Sequence, residues 1–197
     1  MGEAATIAGY DYGRDRIPRS PVSLTDLQQI LETVDFTDTD RRYLTMAGDV
    51  LADQAEQMVD AWRAKIGAQP HLARWFFDPN GHPNERYKAA VKPRFVQWVL
   101  DTCRRPYDQA WLDYQDEIGR RHTPEKKNVT DEVSGPPVVP HRYLIAFAAV
   151  IITTARGFLA AKGHSTDDVD GMSTAWCKAV LLTLALWSRP YARDGLW

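Results

Sequence analysis

Apolar residues along this 197-residue chain recur mostly at three- and four-residue spacing, and the alternation that marks strands is scarce. Ser23-Leu24-Thr25-Asp26 supplies capping residues for a short helix reaching about Val34. Asp38-Thr39-Asp40 precedes a long apolar pattern (Tyr43, Met46, Val50, Leu51, Met58, Val59, Trp62, Ile66) that predicts two consecutive helices ending at Gly67. HLARWFF (71–77) reads as a short apolar helix closed by the turn Asp78-Pro79-Asn80-Gly81. The next helix runs from near Asn84 to about Arg104. Pro93 inside it predicts a kink rather than a stop, because Phe95, Trp98 and Val99 continue the pattern. Pro106 is expected in the first turn of the following helix, which ends near Arg121.

From Thr123 to Pro140 the chain is polar and proline-rich, which predicts a long loop. Arg142 to about Lys162 is the most apolar helix, closed by Gly163. Thr166-Asp167-Asp168 caps a last helix that continues to about Trp187. The first 22 residues, with Gly9, Gly13, Pro18 and Pro21, predict an extended segment wrapping the surface. The expected architecture is all-α, about eight helices in one domain over residues 1–197.

The stretches around 143–158 and 175–187 are apolar over most of their circumference, so each must be covered on more than one side. A central place in a monomer would do this; so would a homodimer in which these two long helices pack on their twins, and the dimer is the favoured reading. Composition adds exclusions. A net charge of -2 predicts no general attraction to nucleic acid or anionic membrane. The longest apolar run, Tyr143 to Ile152, is too short to span a bilayer, and the first residues lack the apolar core of a signal peptide. Cys103 and Cys177 fit neither a metal spacing nor a disulfide framework, and read as buried thiols in a reducing cytoplasm.

Five histidines occur, and four of them (His71, His82, His141, His164) lie in or beside turns and helix starts. His122 alone follows an amphipathic helix with Trp111, Leu112, Tyr114 and Ile118 on its inner side. Two readings stand for it: a cationic partner for the helix C-terminus, or a neutral imidazole serving as fifth ligand to haem iron. No CxxC or paired-carboxylate pattern supports zinc or non-haem iron, and there is no Gly-rich phosphate loop.

GYDYG (9–13), DVLADQ (49–54), RFVQWVLDT (94–102), WLDYQDEIGRRH (111–122), KKNVTD (126–131), PHRYLIAF (140–147), DGMSTAWCKAV (170–180) and WSRPY (187–191) together resemble the protoglobins, single-domain relatives of the globin domains in globin-coupled sensors. The likeness spans nearly the whole chain. It implies a globin fold with an N-terminal extension and an extra first helix, haem b held by His122, and a homodimer built on the last two long helices. It also implies reversible binding of a diatomic gas (O2, CO or NO), with gas sensing through an unnamed partner. Trp62 matches the family's distal tryptophan; Phe95, Phe147 and Ile151 match apolar distal residues; Arg94 matches an arginine near the haem propionates.

Arg63 departs from the pattern, standing where the family usually has tyrosine. It could face the iron, as an arginine does in peroxidases, or swing outward or onto a propionate; burial of an unpaired guanidinium is costly, so the outward side is preferred. It could also be an alteration without physiological logic. The alternative function is a haem enzyme acting on peroxide or nitrogen oxides, or a scaffold for carbene or nitrene transfer. A haem-free interaction module is the third reading.

Overall fold

A computed structural model describes residues 6–193 and 195–197. Its elements are α1 (Leu24–Thr33), α2 (Asp38–Leu51), α3 (Ala55–Gly67), α4 (Pro70–Ala73), α5 (Glu85–Arg104), α6 (Gln109–Arg120), α7 (His141–Leu159) and α8 (Thr166–Ser188). No strand occurs among the described residues; a lone bridge joins Phe77 to Pro83. The all-helical reading therefore stands, and boundaries differ by local chemistry. Pro106 lies ahead of α6 rather than in its first turn, because Asp108 accepts the Trp111 amide and caps the helix there. Ser165, not the Thr-Asp-Asp run, caps α8 by accepting from the Asp168 amide. The 71–77 stretch divides into α4 and a 3-10 turn (Arg74–Phe76). α5 continues through Pro93.

Capping boxes at Ser23/Asp26 and Thr37/Asp40 fix the starts of α1 and α2. Gly163, with φ of 76°, closes the turn after α7 in a left-handed conformation that a β-carbon would oppose. The main core lies where α8 packs on α2 and α7, and is built on Trp62, Trp98, Met172 and Trp176. Trp62, Trp111 and Trp176 are fully buried. Truncating such a side chain to alanine costs about 3–5 kcal/mol. A second cluster joins Leu27 and Leu31 of α1 to Trp111 and Leu112 of α6 and Leu182 and Leu186 of α8.

The N-terminal segment does more than wrap the surface. Tyr10 and Tyr12 pack edge-on against Tyr114, at 5.3 and 5.7 Å, and the Ser20 amide donates to Asp113. Residues 1–5 of that predicted segment lie outside the described residues. Cys103 is buried and burial pushes its thiol up to about 12, whereas Cys177 is only half-buried, which corrects the expectation that both are enclosed. Helical phase explains the difference: Trp176 takes the inward position next to Cys177.

α7 buries only Ala148, Ile151, Ala155 and Leu159, leaving Ile145 half exposed, while α8 is covered on several sides. By length and composition both His141–Lys162 and Thr166–Tyr191 are apolar enough to cross a membrane, which the ten-residue run alone understated.

Gly48 lets α2 and α5 approach closely: a β-carbon there would meet the Cys103 β-carbon at 2.8 Å. On α8, a β-carbon at Gly171 would meet the edge of the Tyr43 ring at 2.5 Å. Gly48→Ala should cost about 1–3 kcal/mol in chemical denaturation, and Gly171→Ala less, because a side-chain ring moves aside where a β-carbon cannot. Equal stability of Gly48→Ala and the wild type would refute the close approach.

Candidate functional site

One cavity of about 240 Å3 opens between α5, α6, α7 and α8. Each helix presents it with residues at three- and four-residue spacing: Val91, Phe95 and Trp98 from α5, Leu144, Phe147 and Ile151 from α7, and Val180, Leu184 and Trp187 from α8. Its polar edge holds Arg94, Arg121, Lys127, Thr130 and Asp131. An apolar pocket with a few convergent polar groups is the usual form of a cofactor or small-molecule site.

His122 sits on this wall, one residue beyond the C-cap of α6. Its amide donates to the Gly119 carbonyl at 3.1 Å. Its Nδ1 lies 2.9 Å from the Ile118 carbonyl, which can only accept, so Nδ1 carries the proton and Nε2 keeps its lone pair. No hydrogen bond to Nε2 occurs among the described residues. Burial pushes the imidazole down to about 4; the Ile118 hydrogen bond opposes this, and the charges of Lys127 and Arg121 add to it. The ring stacks on Trp187 with centroids 5.4 Å apart, and Trp187 donates its indole N–H to Gln115 at 3.0 Å. The His122 carbonyl accepts from the Val139 amide and from the Tyr191 hydroxyl. A neutral ring fixed in one tautomer, with its free nitrogen at an apolar cavity, is a ready ligand for a metal held in a flat cofactor. The reading of His122 as a charged helix partner does not fit such burial.

The other predicted site residues divide. Arg94, Phe95, Phe147 and Ile151 line the cavity with His122. Trp62 stands behind them: its ring tilts against Phe95 at 5.3 Å and its indole N–H donates to Thr154 at 2.6 Å. Arg63 turns away. Its guanidinium donates to the Lys88 carbonyl at 3.1 Å and lies 3.9 Å from Asp60, with the side chain about a quarter exposed. Neither lines the cavity. Arg94 is already occupied, holding Asp131 through hydrogen bonds of 2.9 and 2.6 Å and the Ala8 carbonyl at 3.1 Å. Tyr114 lines the cavity, and Trp111 packs in the second core cluster.

Sequence reading missed Trp75, Tyr87 and Lys127, all on the wall. Trp75 and Tyr87 look like ordinary core positions, and Lys127 lies in a loop with no periodicity to betray its burial. His141, placed at a helix start, packs its ring on Tyr191 at 4.7 Å and meets the Ser188 hydroxyl at 2.8 Å, away from the cavity. No cluster of three or more His, Cys, Asp or Glu suited to a metal ion occurs among the described residues, so a metal here would rest on His122 and a cofactor's own ligands.

Comparisons with known proteins bear on the family and the fold. The family model described as Protoglobin matches residues 23–197. The globin domain of the Geobacter sulfurreducens globin-coupled sensor is similar in structure, with a TM-score of 0.61 at 16% sequence identity, covering 84% of this chain and 97% of that one. At that identity the likeness speaks for the fold alone. No curated protein matches the chain significantly. With 175 consecutive residues matched, from Val22's neighbour Ser23 to the final Trp197, the chain belongs to the protoglobin family.

Proposed function

We propose that this chain, as one protoglobin-type unit over residues 1–197, holds haem b through Nε2 of His122 and reversibly binds a diatomic gas (O2, CO or NO). The observation that carries this reading is a neutral His122 imidazole on the wall of an apolar cavity, with its proton on Nδ1 and no hydrogen bond to Nε2 among the described residues. Family membership supports a globin-type haem protein. When bound, haem supplies an iron centre with an open coordination position. The chain's part is to hold the imidazole in one tautomer and to exclude water with Phe95, Phe147 and Ile151.

The distal surroundings then differ from a polar globin pocket. Trp62 is committed to Thr154 and Arg63 to Lys88, so neither α3 residue offers a donor to a bound ligand. Gas discrimination should fall to the apolar wall, favouring CO over O2, since bound O2 is the ligand that gains from a hydrogen bond. The peroxidase-like alternative drew on Arg63 facing the iron; its outward hydrogen bond lends that no support. Carbene or nitrene transfer has no residue here that favours it over gas binding.

We propose a homodimer through α7 and α8. The support is the apolar face that α7 leaves uncovered, with Ile145 exposed on α7 and Leu181 on α8. A cytoplasmic location with no nucleic-acid or membrane partner is part of the same reading, as is gas sensing through another protein.

The purified protein should show a Soret band that shifts sharply on reduction and addition of carbon monoxide, and His122→Ala should abolish tight haem binding. Tight, six-coordinate haem in that variant would refute the ligand assignment, and no Soret band after adding haemin would favour a haem-free module. Arg63→Ala should leave azide affinity of the ferric protein within about twofold, since the guanidinium is held off the cavity wall by the Lys88 carbonyl; a loss of tenfold or more would place the guanidinium at the iron. Ile145→Asp should convert a species sedimenting at twice the chain mass into one at the single-chain mass; a wild type already monomeric at micromolar concentration would remove the dimer.

A further inference from the structure

Three cations stand on the wall of the cavity, and two of them are answered by carboxylates. Arg94 is matched by Asp131 through two hydrogen bonds, and Arg121 by Glu117 and Asp11 at 3.0 Å each. Lys127 differs. It is 4% exposed, and its ammonium donates to the neutral carbonyl of Trp75 at 2.8 Å while standing 5.0 Å over the Tyr87 ring. No carboxylate lies within ion-pair reach of it among the described residues. Asp131 acts on it only from a distance, being engaged by Arg94.

A buried ammonium whose only acceptor is a neutral carbonyl is an unfavourable arrangement, and natural proteins almost always pair or neutralise it. Burial pushes Lys127 down to about 8, in keeping with that strain on the charged form. Trp75, Tyr87 and Lys127 all line the cavity, so an anionic group on the occupant would supply what the chain withholds. Arg94 offers less, because its charge is already balanced, and bringing a second carboxylate to it would set that group against Asp131.

We propose that Lys127 is the residue that anchors a carboxylate of the bound haem, in place of the arginine at position 94. The inference rests on the haem reading above and adds to it the group that holds the cofactor's charged edge. Lys127 is a positioning residue: it touches the cofactor's periphery and takes no part in ligand exchange at the iron.

The test compares haem with its dimethyl ester, which keeps the macrocycle and iron but caps both carboxylates as neutral methyl esters. Release of each from the reconstituted full-length protein is followed by transfer to excess apomyoglobin. Lys127→Met should release haem about tenfold faster than the wild type, the loss expected for one charge-assisted hydrogen bond. The same substitution should change release of the ester by less than about twofold, and Lys127→Arg should retain most of the wild-type grip on haem. Equal acceleration for haem and ester, or none for haem, would overturn the assignment while leaving the haem reading intact. A wild type that takes up neither compound would overturn both. If Lys127→Met does not fold, acylation of Lys127 in the wild type, read by mass spectrometry, serves instead. Haem should protect the amine about tenfold better than the ester does, and equal protection would refute the anchor.

Discussion

The neutrality of one buried imidazole constrains everything around the cavity. His122 is held uncharged by burial, and its proton is fixed on Nδ1 by the Ile118 carbonyl. Keeping it so requires contributions from distant parts of the chain. Trp187 of α8 stacks on the ring and is itself held by Gln115 of α6. Tyr191, after α8, bonds the carbonyls of both His122 and Val139, which closes the long loop back onto the end of α6. The ring's orientation is therefore a property of the assembled bundle, since no local element could fix all of these partners.

Charge is kept at the edge of the apolar cavity by matched pairs. Glu117 is almost fully buried; burial alone would raise its carboxyl, but Lys126 and Arg121 hold it below the ordinary range. Arg121 in turn bonds the Gly9 carbonyl and Asp11, so the N-terminal segment is drawn onto the same network. Removing one partner from such a buried set typically costs about 3–5 kcal/mol, because the remaining charge is stranded. The segment before α1 is thus part of the site's electrostatic frame, and Lys127 is conspicuous as the cation that this frame leaves without a carboxylate.

α7 works in two directions. Its inner residues Phe147 and Ile151 line the cavity, while Ile145 on another side meets solvent. A helix that is apolar all round but covered on one side has an unmet need for a second apolar surface. α8, covered by α2, α6 and α7, has less of it. The apolar circumference of α8 is met mostly within the chain, leaving Leu181 exposed, whereas α7 keeps a wider uncovered face.

Periodicity and capping chemistry were enough to place the eight helices, because apolar phase and cap hydrogen bonds act over a few residues. Residue type and position also singled out His122, while Phe95, Phe147 and Ile151 came only from the resemblance to the protoglobins; all four line the cavity. What local patterns could not decide was direction. Trp62 and Arg63 lie about one helical turn before Ile66, which lines the cavity, yet Thr154 and the Lys88 carbonyl, brought close only by packing, claim their polar groups. Lys127 shows the same limit from the other side: nothing in a polar, proline-rich loop indicates burial until the chain folds it against Trp75 and Tyr87. Local sequence sets which helices form, while long-range hydrogen bonds and ion pairs decide which side chains face the cavity and which of them remain unpaired.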